Sequence, residues 1–325
     1  MENKYVRYGI AGFGLHAVKR FIPAFKWTQQ SELVAIHKRN YQEVMDKKNE
    51  YDIQFGFTDV KELVNAFDVD AVIVASPPFL HKEQVLLAAE AGKHVMVEKP
   101  MATSAEECKE MITACRENNV KLFAGFCMRF TTTIQKIRDI IHSGRLGEIY
   151  SVDSIFTYDA SMSPRKWLKD PRVSGGGPVA DLASHKLDIL EYLLEQPIVE
   201  MKSIISPPKT ADSIEQRAVM AFRFKNNTLG RMITSFDLPR EKSLIFAGTK
   251  AKLSVRDFTE AGDTVTIVIE EGQNIEKIQF VNENHFAQMI DSFSESILMD
   301  LPPLVPGEAG LANQLLIDEI YQQGA

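Results

Sequence analysis

The feature that most constrains the fold is a regular alternation within the first 125 residues. Short runs rich in valine, isoleucine and alanine are separated there by amphipathic segments long enough to form helices. Strands that are apolar on both faces and separated by helices predict a parallel sheet covered on both sides. The predicted strands span residues 5–10, 33–37, 54–57, 70–76, 93–98 and 121–126, and the predicted helices span residues 17–26, 41–50, 60–66, 81–91 and 104–118. We therefore expect a doubly wound α/β domain over residues 1–125.

The pattern changes beyond about residue 148, where apolar and polar residues alternate one by one. This period of two is typical of antiparallel strands with one face in solvent. Strands are predicted in the segments 148–159, 217–224, 229–238, 242–249 and 263–272, and helices in the segments 132–143, 181–194, 285–299 and 309–322. We expect residues 126–325 to form a second domain, an α+β fold with a mostly antiparallel open sheet.

Composition narrows the range of partners. The 325 residues carry a net charge of −7, and no block of lysine and arginine stands out as a phosphate-binding stripe, which argues against a nucleic-acid partner. No apolar run approaches the length of a membrane span, and a strand begins almost at once, so we expect neither a membrane segment nor a signal peptide. The three cysteines and seven histidines show no metal-ligand spacing. We expect reduced thiols in a cytoplasmic protein without a bound metal.

A glycine motif follows the first predicted strand, in the segment GIAGFGLHA. Gly12 permits a tight turn, Gly14 lets the backbone approach a pyrophosphate, and Ala17 lets the next helix pack closely on the strand. The N-terminus of that helix then points at the anion. This position of the motif favours a dinucleotide-binding Rossmann domain over an unrelated glycine turn. We expect the cofactor contacts here to come from Gly12, Phe13, Gly14, Leu15 and Ala17.

The end of the second strand bears on the choice of nicotinamide cofactor. Sites that prefer NAD usually carry an acidic residue there, which binds the ribose 2′-hydroxyl group. This chain reads VAIHKRN and carries Lys38 and Arg39 instead. Two cations would attract a 2′-phosphate, so we expect NADP to be preferred over NAD. The alternative is that both residues are solvated loop charges.

The segment HVMVEKPMA ends a predicted core strand in Glu98, Lys99 and Pro100. Charged groups are costly to bury unless they are paired or used. Ligands of open α/β sheets bind at the carboxyl ends of the strands, which is where these residues lie. This segment taken alone allows two interpretations, and in the first Lys99 acts in catalysis, with Glu98 holding it and Pro100 fixing the turn. The alternative is a structural ion pair at the end of a strand.

Three segments together carry a resemblance to a known family: GIAGFGLHA, DAVIVASPPFLHKEQVLLAAEAGKHVMVEKPMA and GGGPVADLASHKLDILEYLL. They resemble the glucose–fructose oxidoreductase/inositol dehydrogenase (Gfo/Idh/MocA) family, and the similarity covers nearly the whole chain. Enzymes of this family transfer a hydride between a nicotinamide and a carbon that bears a hydroxyl or carbonyl group, usually on a sugar, a polyol or a related ring. The resemblance implies the same reaction with NADP or NAD. It also implies that the second domain binds the substrate and forms a homodimer or homotetramer through its sheet.

The resemblance further implies roles for particular residues. It places Lys99 in the active site, Pro100 in a turn beside the nicotinamide, and makes His185 the residue that transfers a proton. Asp181 precedes His185 by one turn on the same helix face, and Asp188 either turns toward the site or has a structural role. A histidine suits proton transfer near neutral pH, and a lysine ammonium stabilises a developing alkoxide.

More candidates follow from the same resemblance. Ser76, Pro77 and His81 lie in SPPFLH, at the family's TPxxxH motif, and His81 either contacts the cofactor or starts the helix. Arg129 takes the position of an arginine or tyrosine that borders the substrate in relatives, although threonines replace the usual nearby proline. Trp167 either forms a wall against a sugar-like ring or packs its own long loop. The same loop carries Tyr158, Arg165 and Arg172.

Two other functions share this fold. A nucleotide-sensing regulator without turnover would keep the cofactor site, but the presence of Lys99, Asp181 and His185 argues against it. A glycoside-cleaving enzyme that transiently oxidises its substrate would hold NAD tightly, and Lys38 with Arg39 argues against that. The function expected from the sequence is an NADP-preferring oxidoreductase acting on small sugar-like molecules.

Overall fold

The structure, a computed structural model, describes residues 5–324; residues 1–4 and 325, at the outer ends of the two predicted domains, lie outside that range. The chain divides into two compact units, Met1–Phe126 with Phe286–Gln314, and Cys127–His285 with Leu315–Ala325. The sequence places a single boundary after residue 125. In the structure one division falls near that residue, but Phe286–Gln314, assigned to the second domain by the sequence, groups with the first unit.

The first unit is built on a six-stranded parallel sheet with the order β3-β2-β1-β4-β5-β6. Its strands are β1 (Val6–Ala11), β2 (Ser31–His37), β3 (Phe55–Phe57), β4 (Ala71–Val74), β5 (His94–Glu98) and β6 (Leu122–Gly125). Every residue of β4 and β6 is buried, which explains their unbroken apolar sequences. The strand order reverses between β1 and β4, the place where open α/β sheets bind ligands. The predicted doubly wound fold is confirmed.

Several of the helices begin where the sequence supplies a capping side chain. The α-helices are α1 (Ile22–Phe25), α2 (Tyr41–Glu50), α3 (Val60–Asn65), α4 (His81–Glu90), α5 (Ala105–Glu117), α6 (Thr132–His142), α7 (Pro171–Ser174), α8 (Ser184–Leu194), α9 (His285–Leu298) and α10 (Gly307–Gln323). Wide π-helical turns lie at Ala17–Phe21 and Val179–Ala183. Short 3₁₀ turns lie at Pro78–Leu80, Cys127–Phe130 and Lys166–Lys169. Asn40, Asp59, Ser104 and Thr131 accept backbone N–H bonds at the starts of α2, α3, α5 and α6. Such caps satisfy amides that a helix leaves unpaired.

A buried polar network explains why α9 belongs to the first unit. The hydroxyl group of Tyr8 on β1 lies 2.8 Å from that of Ser294, which in turn lies 2.8 Å from the hydroxyl of Ser31 on β2. The Ser31 hydroxyl also donates to Asp291 at 2.9 Å. The ring of Phe293 lies 5.2 Å from that of Phe123 on β6. These contacts join residues far apart in the chain, so the local sequence pattern does not predict them.

The second unit contains an eight-stranded sheet with the order β14-β13-β12-β11-β7-β10-β9-β8. Its strands are β7 (Ile149–Thr157), β8 (Ile198–Ser206), β9 (Arg217–Phe224), β10 (Leu229–Ser235), β11 (Glu241–Gly248), β12 (Lys252–Arg256), β13 (Thr264–Glu271) and β14 (Asn274–Val281). Neighbouring strands are antiparallel except β7 and β10. The predicted mostly antiparallel sheet is confirmed, and β8, β12 and β14 are strands that the sequence analysis missed. β8 and β14 are edge strands, and β14 is exposed along most of its length, which removes the apolar alternation.

Within residues 5–324, no helix combines the length and the apolar character needed to cross a membrane.

Candidate functional site

The glycine motif forms the turn between β1 and the first helical segment. Gly12 has φ of +84°, and a Cβ atom placed there would lie 2.6 Å from the backbone of Ser76. Only glycine fits this contact. A Cβ atom on Gly14 would meet nothing closer than 3.9 Å, so the outer side of the turn is open. Ala17 is buried and starts the wide helical turn.

The start of this first helical segment has the properties of an anion site. The helical segment begins at Leu15, directly after Gly14, and the Val18 N–H donates to the Gly14 carbonyl oxygen at 3.1 Å; residues 15–18 include no acidic side chain. The amides at such a terminus and the helix dipole favour a phosphate group. The open space at Gly14 leaves room for close approach, so the residues present fit the pyrophosphate of a dinucleotide. Leu15 is exposed. Phe13 is buried, and its backbone N–H donates to the His37 carbonyl oxygen at 2.9 Å.

His37, at the end of β2, was not singled out from the sequence. Its Nδ1 accepts the Gly12 N–H at 3.4 Å, and burial lowers the pKa of the imidazole. A neutral ring can accept this bond. The signal available in the sequence was a histidine as the last residue of the second strand, directly opposite the first glycine turn in a parallel sheet.

Lys38 and Arg39 follow His37. The Lys38 ammonium lies 2.8 Å from the Glu43 carboxylate on α2, and this contact lowers the pKa of Glu43. Arg39 is exposed. The predicted cationic pair is therefore present, but one of its members already has an acidic partner that a 2′-phosphate would have to replace.

His81 connects the segments that follow β4 and β5. It is only 1% exposed; its Nε2 lies 2.8 Å from the Ser76 carbonyl oxygen, and its Nδ1 lies 3.1 Å from that of Pro100. Burial lowers the pKa of this imidazole, and a neutral ring donates from one nitrogen only. The Ser76 hydroxyl donates to Gln84, and Pro77 is half-buried. His81 thus holds two loops of the cofactor end together, and a direct cofactor contact stays a prediction.

Glu98 is the buried charged residue of the segment Glu98-Lys99-Pro100, with 7% of its surface exposed. Its Oε1 lies 3.0 Å from Nε2 of His16, and its Oε2 accepts the backbone N–H of Lys99 at 3.2 Å. Burial pushes the pKa of this carboxyl group up, but the charges and hydrogen bonds of His16 and Lys99 outweigh burial, and the pKa lies below its usual value. The contact between Glu98 and the glycine-turn residue His16 was missed because the two lie 82 positions apart.

Asp181 and His185 lie at the start of one long helical segment in the second unit. The wide turn Val179–Ala183 carries Asp181 and runs directly into α8, which carries His185. Among residues 181–190, all of which the structure describes, His185 alone is not buried. Wide helical turns of this kind occur often at functional sites. Within residues 181–190, His185 is therefore the one titratable group that is accessible to solvent; Glu191 and Tyr192, nearer the end of α8, are also half-buried.

Asp181 is paired with the long loop that precedes the helix. The Arg165 guanidinium donates to both Asp181 oxygens, at 3.0 and 3.4 Å, and to the Tyr158 hydroxyl at 2.9 Å. Burial, with the nearby charge of Asp181, raises the pKa of Tyr158 to about 12. The Arg165 guanidinium lies 5.9 Å from the ring of Trp167, which is half-buried. Asp181 thus orders the loop that carries the predicted ring-binding tryptophan.

Arg129 and Asp188 form a buried ion pair with each other. The guanidinium donates to both carboxylate oxygens, at 2.9 and 2.6 Å, and lies 5.0 Å from the ring of Tyr192. Burial raises the pKa of Asp188, although Arg129 opposes that shift. Breaking one member of such a pair leaves an uncompensated charge. The sequence proposed both residues for substrate binding; the structure shows them as partners within the second unit, and substrate contact stays a prediction.

Within residues 5–324, no group of three histidine, cysteine or acidic side chains is arranged to hold a metal ion. All three cysteines, Cys108, Cys115 and Cys127, are buried, and none forms a disulfide.

Comparison with known sequences defines the class of protein first. Residues 6–126 match the model of an oxidoreductase family with an NAD-binding Rossmann fold, and residues 134–254 match the GFO/IDH/MocA C-terminal domain. The two matches cover the carboxyl ends of the parallel strands and the helix that bears Asp181 and His185. The chain belongs to the Gfo/Idh/MocA family of oxidoreductases.

Three relatives illustrate the similarity. The 1,5-anhydro-D-fructose reductase of Ensifer adhaerens is 26% identical over 307 residues, 94% of this chain and 92% of the relative. An aldose–aldose oxidoreductase from Caulobacter crescentus, solved with glycerol, superposes with a TM-score of 0.91 at 24% identity over 98% and 97% of the two chains. A 3-ketoreductase from Actinomadura kijaniata, solved with NADP and a TDP compound, has a TM-score of 0.89 at 21% identity over 98% of each chain. The two structural matches show that the fold is shared.

Proposed function

We propose that the protein is an NADP-preferring oxidoreductase that transfers a hydride between the nicotinamide and a hydroxyl- or carbonyl-bearing carbon of a sugar, polyol or related small molecule. The observation that carries the proposal is the partly exposed His185 among the buried residues of 181–190, in a chain that also has an open glycine turn. The relatives named above support it, because a reductase of an anhydro sugar, an aldose oxidoreductase and a ketoreductase act on such carbons.

The residues act as follows in the direction of reduction. A nicotinamide cofactor held at the glycine turn of Gly12 and Gly14 would supply the hydride that the carbonyl carbon receives. His185 donates a proton to the carbonyl oxygen, and in oxidation it accepts that proton from the hydroxyl group. Lys99 polarises the same oxygen and stabilises its developing negative charge. Asp181 orients Arg165 and the loop with Trp167, which would contact a sugar-like ring.

Transfer of deuterium tests this reaction even while the substrate is unidentified. The protein is incubated with NADPH deuterated at nicotinamide C4 and a panel of aldoses, keto sugars and inosose rings, and products are analysed by mass spectrometry. The proposal expects one deuterium on a carbon that was a carbonyl group. NADPH binding without transfer to any member of the panel would instead favour the regulator that lacks turnover.

The preference for NADP depends on Lys38 and Arg39. Both are cationic and follow β2, where an acidic residue would repel a 2′-phosphate. Replacing Lys38 by Asp should lower the affinity for NADPH about tenfold or more and leave that for NADH little changed. Glu43→Gln is the matched control, because it frees Lys38 and should raise NADPH affinity slightly. An unchanged ratio of the two affinities in Lys38→Asp would remove the preference from the proposal.

We also propose a homodimer or homotetramer formed through the sheet of the second unit. The register places Ile204, Val219, Ile233 and Ile155 side by side across β8, β9, β10 and β7. Ile204 is 75% exposed and Val219 is 49% exposed, and the other two are half-buried. A row of accessible β-branched residues on four strands is typical of an interface. Light scattering should give a multiple of the 36.6 kDa chain mass, and Val219→Lys should reduce it; a monomeric wild-type protein would contradict the proposal.

A further inference from the structure

Three consecutive glycines precede the helical segment with Asp181 and His185, and the site described above does not explain them. Gly175 has φ of +77° and ends α7. A Cβ atom on Gly176 would lie 1.8 Å from the Tyr321 hydroxyl oxygen, and one on Gly177 would lie 2.2 Å from the Glu215 carbonyl oxygen. Side chains at these positions are excluded by close packing against Glu215 and Tyr321.

Glu215 occupies the N-terminus of that helical segment. It lies between β8 and β9 and is 0% exposed. The Gly177 N–H donates to both carboxylate oxygens at 3.1 Å, and the Val179 N–H donates to Oε1 at 2.9 Å. These are two of the amides that a helix start leaves without partners inside the helix. A carboxylate there gains both charge-assisted bonds and a favourable interaction with the helix dipole.

A second layer of contacts holds Glu215 itself. The Tyr321 hydroxyl donates to Glu215 Oε1 at 2.9 Å, and burial together with the charge of Glu215 raises the pKa of Tyr321, which keeps that proton in place. The Lys209 ammonium lies 4.1 Å from the centre of the Tyr321 ring and donates to the Gly175 carbonyl oxygen. Burial raises the pKa of Glu215, and the bonds from Val179, Gly177 and Tyr321 oppose that shift, because donors match the ionised form of a carboxylate.

We propose that Glu215 is a positioning residue that fixes the start of the helical segment carrying Asp181 and His185, with Tyr321 holding Glu215. At the second glycine turn the Glu215 carboxylate accepts from the amides at the helix start, as an anionic ligand would at the first glycine turn. The link to turnover rests on the proposed function of His185; the effect on the position of the helix does not.

The test compares three variants of the full-length protein. Glu215→Gln keeps the size of the side chain but turns one oxygen into an N–H donor that faces the Gly177 N–H. Tyr321→Phe removes the bond that holds Glu215, together with the hydrogen bonds of the same hydroxyl group to the backbone of Gly177 and Ala180. Glu191→Gln is the matched control, because Glu191 is also a largely buried carboxylate of the second unit but accepts from Ile198 N–H at the other end of α8.

Two readouts do not require a substrate. Hydrogen exchange reports the protection of the Gly177 and Val179 amides, and proton–carbon NMR of labelled histidine reports the environment and titration midpoint of His185. Glu215→Gln weakens the bonds to these two amides, so the helix start should open more readily and their exchange should speed up about tenfold or more. The same variant should displace the His185 resonance and its titration midpoint. Tyr321→Phe should shift both readouts less, in the same direction. Glu191→Gln should leave both unchanged.

Turnover gives a third readout. Glu215→Gln should lower kcat for NADPH-dependent carbonyl reduction about tenfold, with NADPH affinity unchanged within about twofold. If wild-type protein shows no turnover, the proposed function fails while exchange and the His185 resonance still decide the positioning role. An unaltered His185 resonance in both Glu215→Gln and Tyr321→Phe, or an equal displacement in Glu191→Gln, would overturn the proposal. Should Glu215→Gln not fold, Tyr321→Phe decides it in the same way.

Discussion

The two units each contain a glycine turn followed by a wide helical turn, but their amides are used differently. At Gly12 to Gly14 no side chain caps the helical segment, and the space beside Gly14 is open. At the glycines 175–177 the amides of Gly177 and Val179 are bonded to the buried carboxylate of Glu215. The same local chemistry, amides exposed at a helix start, thus leaves an anion site in one unit and builds an internal anchor in the other.

The difference explains what each turn contributes. A turn that binds a cofactor must expose its donors, so its rigidity comes from outside the helix, here from the packing of Gly12 on Ser76 and from His37. The second turn precedes His185, the proposed proton-transfer residue. Its amides have their hydrogen-bond partner without any ligand, so this turn need not reorganise during the reaction. We expect substitutions at the first turn to affect binding and those at the second to affect stability and positioning.

The largest effect is expected for Gly12→Ala. A methyl group there would lie 2.6 Å from the Ser76 backbone at a positive φ, so we expect a loss of about 2–5 kcal/mol in the free energy of unfolding together with loss of NADPH binding. Gly14→Ala is the matched variant: its methyl group has room, so stability should stay within about 0.5 kcal/mol, whereas NADPH affinity should fall about tenfold, because the pyrophosphate approaches this backbone. Urea unfolding and calorimetric titration measure the two quantities. Equal stability of the two variants would refute the packing argument.

Gly176→Ala should have the opposite profile. Its methyl group would overlap the Tyr321 hydroxyl, which is held by its bond to the buried Glu215, so we expect a loss of about 1–3 kcal/mol in the free energy of unfolding. NADPH affinity should remain within about twofold of wild type, since the first turn is untouched. A fall in affinity comparable to that of Gly14→Ala would break the division of roles between the two turns.

A smaller effect of opposite sign is expected at Lys186, which follows His185. Its ammonium position is fully buried, lies 4.1 Å from the Phe258 ring centre, and has no hydrogen-bond partner among the described residues. Burial, with the charge of Lys242, lowers the pKa of Lys186 well below its ordinary value of 10.5. The unfolded state therefore binds a proton that the folded state does not, and the free energy of unfolding should fall as pH decreases below 10.5 toward the folded pKa.

Replacing Lys186 by Met tests this dependence on pH. The variant should be more stable at pH 7 by about 1 kcal/mol, the order of the cost of burying an unpaired polar group. Its stability should also vary less with pH between neutral and alkaline conditions. Urea unfolding at several pH values supplies the measurement, with Lys61→Met on the exposed surface of α3 as the control. A variant less stable than wild type at pH 7 would show that the amine has a stabilising partner.

The sequence predicted the parts of the molecule that repeat locally. Strands β4 and β5 were predicted from unbroken apolar runs, which result from burial on both faces of the sheet. Strand β9 was predicted from strict alternation of apolar and polar residues, which results from burial on one face. The edge strand β14 has no such period, since most of its residues are exposed. α9 was predicted as a helix, but its place in the first unit depends on Phe293 and Ser294, whose partners are distant in sequence.

Residues of the candidate site were predicted from the sequence, but the contacts between them were not. The glycine turn and Lys99 were named from short patterns and His185 from the family resemblance, and the roles of Lys99 and His185 stay predictions. The partners of those residues were not, because Glu98 with His16, Asp181 with Arg165, and the Gly177 amide with Glu215 are pairs formed only by folding. Arg129 and Asp188 show the same limit: each was named for the substrate, and no pattern in the sequence indicates that they pair with each other.

Hydrogen exchange of the wild-type protein with and without saturating NADPH tests whether the first glycine turn binds the cofactor and the second does not. We predict slower exchange in residues 12–18, where the helical start is open to an anion, and unchanged exchange at Gly177 and Val179, whose amides are already bonded to Glu215. Protection at the first turn alone would establish the dinucleotide site that the hydride transfer requires. No protection there, or protection confined to the second turn, would contradict it.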